Sequence, residues 1–408
     1  MKNILLLLTL LIGLQTANAQ YVTIPDANFR AALKALYPSC FNGNDMMDTT
    51  CNNINYSTSI TVRNKNIQSL DGIQYFKRLT ELDCRDNKIT RLRNLPNSIN
   101  YYIFCSNNLI TQVDSIPPLV KQLLCDNNKL TSLPTLPLSL TKLNCSYNQL
   151  TSLPELPISL NELNCSNNRL TTLPPLPNAI GAIFPLEYLY CNNNQLTLLP
   201  ELPTSLNTLN CSYNRLTTLP TLPNTLTALY CSFNNLTSQS IGSFPISLFH
   251  LYINNNNFVS LPKLPISLSN LNCSYNKLTT LPPLPNLNTL YCNNNPLSCL
   301  PLLPFDLQEL RIKRTQVFCL PNTLNTSIRF DTILPICSNI SGICPVNPFV
   351  QGRVYNDLNN NGSYNTGEQL FSQQIVKVSP SNWLGASDVT GTYLVKLDTA
   401  INNTWSAI

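Results

Sequence analysis

Along most of the chain the apolar and polar positions recur in one fixed order. In Leu160-Asn161-Glu162-Leu163-Asn164-Cys165-Ser166-Asn167-Asn168-Arg169-Leu170 the apolar residues stand at 160, 163, 165 and 170, and near-copies return about every 20 residues. Aligned on Cys165, the column reads Val62, Cys84, Cys105, Cys125, Cys145, Cys165, Cys191, Cys211, Cys231, Ile253, Cys273, Cys292 and Ile312, which makes thirteen rungs. Spacings are mostly 20, with 22, 21, 26 and 19 as exceptions. Three residues after the rung, Asn stands in eleven of the thirteen, from Asn87 to Asn295; Lys65 and Thr315 break that column in the terminal rungs. Leu163 and Cys165 alternate about one outward residue, which predicts a short parallel strand with both side chains inward. The Asn amide can satisfy backbone groups of the turn that follows. A single unit cannot bury its own apolar edge, so neighbours must stack.

The return segment reads Leu-Pro-x-Leu-Pro, as in Leu153-Pro154-Glu155-Leu156-Pro157. Proline at that density forbids a helix and favours extended or polyproline II backbone. The unit as a whole, Leu-x-x-Leu-x-(Leu/Cys)-x-x-Asn-x-Leu, resembles the leucine-rich repeat over roughly residues 60–320. That resemblance implies a mainly β solenoid, an arc with a parallel sheet and an extended, non-helical convex side. It is similar to the short repeats of secreted bacterial proteins.

Residues 1–19 carry one Lys, an apolar run from Ile4 to Leu14 and Ala17-Asn18-Ala19, the order of a secretory signal peptide cut before Gln20. The run is too short to span a membrane, and no other stretch reaches spanning length. Residues 20–59 do not repeat. Asp26 is an N-cap type residue, and Phe29, Ala32, Leu33 and Leu36 then fall on one helical face. This resembles the N-terminal cap of internalin-like proteins, where a short helix shields the first rung.

The sixteen cysteines separate by register. Ten occupy the rung column, where Ile also occurs, and read as small buried hydrophobes. Six lie outside it: Cys40, Cys51, Cys299, Cys319, Cys337 and Cys344. Cys40 and Cys51 flank a polar loop and are candidates for a bridge in an oxidising compartment. Cys299 and Cys319 stand seven residues past successive rungs and should be neighbours; Cys337 and Cys344 fall in residues 321–345, a C-terminal cap. Pairing within those four is expected, with the three connectivities left open.

Residues 346–408 change composition and contain Asp357-Leu358-Asn359-Asn360-Asn361-Gly362-Ser363, with Glu368 at the twelfth position. The spacing is that of a calcium loop: side-chain oxygens of Asp357, Asn359, Asn361 and Glu368, with the carbonyl of Ser363, surround a hard cation, and Ca2+ is the expected cofactor. The flanks are strand-like, so the segment resembles the calcium-binding B domains of bacterial adhesins, a prealbumin-like β-sandwich. The closing strands of such a domain are not seen before Ile408, which suggests a fragment.

Charged residues make up 11% of the chain, low against an average near 25%, and the net charge is +5. Basic residues concentrate at Lys77, Arg78, Arg85, Lys88, Arg91 and Arg93, and again at Arg311, Lys313 and Arg314. Both read as solvated faces, too weak in bias for a nucleic-acid track. Catalytic groups are scarce. His250 is the one histidine, no carboxylate stands at motif spacing, and a Cys/His pair would require a core thiol to turn outward. The sheet face, read from the residue before each rung, holds Phe104, Tyr190, Tyr230, Tyr252, Tyr291 and Arg311 among Asn, with His250 beside Tyr252. The next outward column, the residue after each rung, is mostly Ser and Asn, as at Ser106, Ser146, Ser166, Ser212, Ser232 and Ser274. Tyr, Asn and Ser give contact area and adaptable hydrogen bonds at low entropic cost. These residues point to a non-enzymatic, secreted or surface-attached binding protein that recognises a protein or glycan. The alternatives are a structural, self-assembling surface protein and, since Leu-Pro-x-Leu-Pro repeats resemble those of bacterial ubiquitin-ligase effectors, a fragment of such an enzyme.

Overall fold

The computed structural model describes residues 20–178, 185–322, 324 and 328–336, and the backbone of five short strands between 349 and 407. The repeats form a mainly β parallel solenoid of about thirteen turns with few helices. Each turn contributes one strand of two or three residues to a fourteen-stranded sheet whose order follows the chain, from Ser59–Thr61 to Arg329–Phe330. The register is constant: Leu143 pairs with Leu163, Leu163 with Leu189 and Leu189 with Leu209.

Alternation explains the strand. Its central Leu and the Cys just beyond it point inward and are fully buried at Leu143, Cys145, Leu163 and Cys165. The first and third strand residues therefore face outward. Leucines of the proline-rich return, such as Leu136, Leu156, Leu176 and Leu202, close the core from the other side. One apolar cluster runs from Ile24 to Leu320. Arg329–Phe330 adds a strand beyond the thirteen aligned rungs, with Phe330 opposite Leu310. Arg91–Leu92 and Gln112–Val113 form a separate parallel ribbon.

Three side-chain ladders hold the turns together. Asn148 Nδ2 donates to the carbonyls of Cys125, Cys145 and Ser146 at 3.0, 3.1 and 3.1 Å, while its Oδ1 accepts from Leu130 N at 2.9 Å. The motif recurs up to Asn295, which bonds Cys273, Cys292 and Asn293 in the same way. The Asn thus serves its own turn and the preceding unit as well. On the turns that enter the strands, the hydroxyls of Ser139, Ser159, Thr225, Ser247 and Ser267 donate to carbonyls one unit back, as Ser267 does to Leu248 at 2.8 Å. The cysteine column forms the third ladder, by packing alone.

The N-terminal cap contains the helix Ala27–Leu36, with Asp26 accepting from Phe29 N at 2.8 Å. The other Asp26 oxygen accepts from Gln68 N and Ser69 N at 2.7 and 3.1 Å, tying the cap to the first repeat. Phe29 and Leu33 are buried, but Leu36 is exposed, because the helix ends there and the chain turns away at Tyr37. Cys40 and Cys51 are disulfide-bonded, with Cα atoms 5.6 Å apart.

Phe349–Arg353 pairs antiparallel with Thr392–Lys396, and Ile375–Ser379 with both Trp383–Ala386 and Ser406–Ala407. The signal-like segment 1–19, Cys337, Cys344 and the loop bearing Asp357, Asn359, Asn361, Ser363 and Glu368 lie outside the described residues. Cys319 is buried and disulfide-bonded; Cys299 is half-buried. Among the described residues no helix is long and apolar enough to cross a membrane.

Candidate functional site

The outward face carries two columns per strand, the first and third residues, and sequence reading had followed mainly the third. The first column runs Glu81, Tyr102, Gln122, Lys142, Glu162, Tyr188, Thr208, Ala228, His250, Asn270, Thr289 and Glu309. Its period equals that of the third column, so the same alignment contained it.

The two columns interlock differently along the sheet. At the N-terminal end Arg85 grips Asp83 through two bonds of 2.9 and 2.6 Å and lies over the Phe104 ring at 4.9 Å, while Phe104 stacks on Tyr102 at 4.1 Å. In the middle, Asn144 and Asn164 accept from the backbone N–H and hydroxyl of Ser146 and Ser166. Ser106, Ser146, Ser166, Ser212, Ser232 and Ser274, expected in an outward column, are buried. The strand has already ended there, and the hydroxyls of Ser146, Ser166 and Ser274 bond back to the outward Asn144, Asn164 and Asn272, which cover them. Lys142 and Glu162 form an ion pair of 2.7 Å.

Toward the C-terminal half the face becomes aromatic. Tyr230 and Tyr252 stand opposite each other on paired strands and stack with centroids 5.1 Å apart. Tyr190 lies two strands before Tyr230, with Asn210 between them, and Tyr291 two strands after Tyr252, with Asn272 between them. His250 neighbours Tyr252 on its strand and meets Phe249 edge-on at 4.9 Å. Arg311 covers Tyr291 at 4.5 Å and is paired to Glu309. Phe104 is four strands from Tyr190, so it does not join this cluster. Burial raises the hydroxyl pKa of Tyr190, Tyr230 and Tyr291, so these phenols stay neutral donors. Burial also works to raise Glu309, but hydrogen bonds from Arg311 and Tyr291 outweigh it and hold the carboxyl below its usual range.

A second aromatic row was not anticipated. The residue two past each Cys has φ between 51° and 59° from Asp86 to Asn294. Asn and Asp tolerate this left-handed region, and bulky residues disfavour it. Yet Tyr147, Tyr213, Phe233 and Tyr275 occupy it, 61%, 49%, 39% and 49% exposed, and Tyr213 stacks on Phe233 at 4.1 Å. The signal was present as aromatic residues in an otherwise Asn-rich column.

The rung thiols are unsuited to nucleophilic chemistry. Burial pushes all ten well above the ordinary value, to about 12 at Cys273. Among the described residues no group of three His, Cys, Asp or Glu side chains is placed to hold a metal.

The leucine-rich repeat family matches at residues 159–179. Among solved structures, YopM, a leucine-rich effector protein from Yersinia pestis, is 32% identical over 62% of this chain and 78% of its own, with a TM-score of 0.54. YopM from Yersinia enterocolitica is 29% identical over 67% of this chain and 72% of its own, with a TM-score of 0.49. The internalin InlF from Listeria monocytogenes shares the fold at 18% identity, covering 76% of this chain and 96% of its own, with a TM-score of 0.53. No curated protein matches. The constant strand register, the asparagine ladder and the 32% identity to Yersinia pestis YopM agree: the chain belongs to the leucine-rich repeat proteins, is related to YopM and shares its fold with an internalin.

Proposed function

We propose that this protein is a secreted or surface-attached recognition module that binds a protein or glycan through its sheet face, and is not an enzyme. The observation that carries this is the stacked Tyr230–Tyr252 pair, flanked two strands away on either side by Tyr190 and Tyr291. Such rings offer rigid contact area with a hydroxyl at the tip. Each rung advances the face by about 4.8 Å, so the four tyrosine rungs sit on a surface long enough for an interface of standard size, roughly 800 Å² per partner. Export is supported by the signal-like segment 1–19 and by the Cys40–Cys51 disulfide, which suits an oxidising compartment. Calcium held by Asp357, Asn359, Asn361, Ser363 and Glu368 belongs to the same proposal and rests on the spacing of those residues.

The test is a Tyr230→Ala, Tyr252→Ala, Tyr291→Ala variant, compared with the unaltered protein on a glycan array and in a surface-protein pull-down. Loss of binding with a nearly unchanged thermal midpoint supports the sheet face; normal binding by the variant rejects it. A second reading, self-association, is favoured by one observation. Leu138, Ile158, Ile246 and Ile266, on the turns that enter the strands, are 80%, 65%, 78% and 88% exposed. Asn224 stands at the equivalent place, so an Ile246→Asn, Ile266→Asn variant should fold. A fall in sedimentation coefficient on that change would favour assembly.

A further inference from the structure

The two basic clusters look alike in sequence, but the structure treats them differently. In the N-terminal one, Arg63 pairs with Asp86, Arg85 with Asp83, Arg91 with Asp114 and Arg93 with Asp71, and Arg78 lies over the Tyr56 ring. In the C-terminal one, Arg311 is taken by Glu309, while Lys313, Arg314 and Arg329 make no ion pair among the described residues. The two carboxylates beside them, Glu309 and Asp331, offset the charge only in part, Glu309 being taken by Arg311. Asp331 accepts the backbone N–H groups of Ile312 and Lys313 at 2.8 and 3.1 Å, and so closes the hydrogen-bonding edge of the last strands.

These three cations line a hollow of about 370 Å³, at the small end of the range of about 300–1,000 Å³ for ligand sites. Its other walls include the exposed Tyr275 ring and the side chains of Asn293 and Asn294, whose amides make no hydrogen bond among the described residues. Tyr275 and Arg314 stand at the left-handed turn position that every rung carries, with φ of 53° and 60°.

We propose that this hollow binds an acidic sugar, a pyranose bearing a carboxylate or sulfate. The guanidinium forks of Arg314 and Arg329 match the paired oxygens of either anion, and Lys313 adds a point charge. The free amides each offer a donor and an acceptor to ring hydroxyls, and the Tyr275 face accepts the apolar face of the ring. An acidic peptide would use the cations but leave the Asn pair and the ring without a role. The site is independent of the tyrosine rungs and stands whether or not they bind a ligand.

Calorimetric titration of the full chain tests it, with four probes: a hyaluronan tetrasaccharide (carboxylate only), a chondroitin sulfate tetrasaccharide, neutral chitotetraose and a hexaglutamate peptide. The expected result is binding of at least one acidic tetrasaccharide, weakening with added salt, with chitotetraose at least tenfold weaker. Whichever acidic sugar binds more tightly identifies the anion. Arg314→Asn installs the residue preferred at this backbone position and should fold at least as well, yet weaken binding about tenfold. Tyr230→Ala should leave it unchanged, which separates this site from the tyrosine rungs. Hexaglutamate binding as tightly as the sugars, no binding by either acidic sugar, or undiminished binding by Arg314→Asn would each overturn the proposal.

Discussion

Asn148 Nδ2 lies 3.0 Å from the carbonyl oxygen of Cys125, one full turn of the solenoid earlier. The same side chain bonds Cys145 O, Ser146 O and Leu130 N, so one amide serves four backbone groups that water does not reach. Replacing Asn148 by Ala should cost about 3 kcal/mol or more, since an unsatisfied buried group costs about 1–3 kcal/mol. Asn148→Asp should also destabilise, because a carboxylate still accepts from Leu130 N but has nothing to donate to the three carbonyls. Urea unfolding of both variants gives the numbers. A loss below 1 kcal/mol in each would mean that the ladder is decoration on a stack held by its leucines.

The strand position, its register and the inward Leu/Cys pair were legible in the sequence because every unit repeats them, and repetition averages away local exceptions. The fate of the serines was less legible. Ser146 and Ser166 follow the strand by alternation, but alternation stops where φ turns positive, and that turn is written only as the Asn of the next position. Where Tyr147 or Tyr213 replaces that Asn, the sign of the turn disappears while the turn remains, imposed by its neighbours. The difference between the two basic clusters was not legible either. Pairs such as Arg63–Asp86 and Arg93–Asp71 join residues 23 and 22 positions apart, and only the stacking brings them together.

Tyr147 provides a test of that turn. Its φ is 51°, its ring is 61% exposed, and among the described residues it stacks on no other ring. Left-handed backbone costs most L-residues about 1–2 kcal/mol, and Asn less. Tyr147→Asn should therefore raise stability by about 0.5–1 kcal/mol, read as a higher urea midpoint at constant slope. A lower midpoint would show that the ring contributes packing that outweighs its backbone cost.

The loop proposed to hold calcium carries two acidic side chains, Asp357 and Glu368. Few charges favour weak affinity, in the range of about 0.1 to 1 mM typical of extracellular modules. Calorimetry with calcium should give a saturable heat that Asp357→Ala abolishes. Absence of heat in the unaltered protein would remove calcium from the proposal.

The last prediction concerns the ten rung thiols. Stacked strands put successive Cα atoms about 4.8 Å apart, within the span a disulfide needs, so distance alone does not keep them reduced. Direction does: every rung side chain points into the same core, and all ten are buried. A thiol reagent should therefore miss them in the native protein and find them in urea. Alkali should act through the same burial. Cys273 is raised from 9.0 to about 12 in the folded state, so folding favours the protonated thiol. A raised pKa makes that contribution complete below pH 9 and progressively lost between about pH 9 and 12, where the unfolded chain ionises its thiols and the folded one does not. The urea midpoint should hold steady to about pH 9 and then fall. Cys273→Ile, which copies the residue at Ile253 and carries no titrating group, should make the fall shallower. Equal slopes in the two proteins would place the alkaline loss on the tyrosines instead.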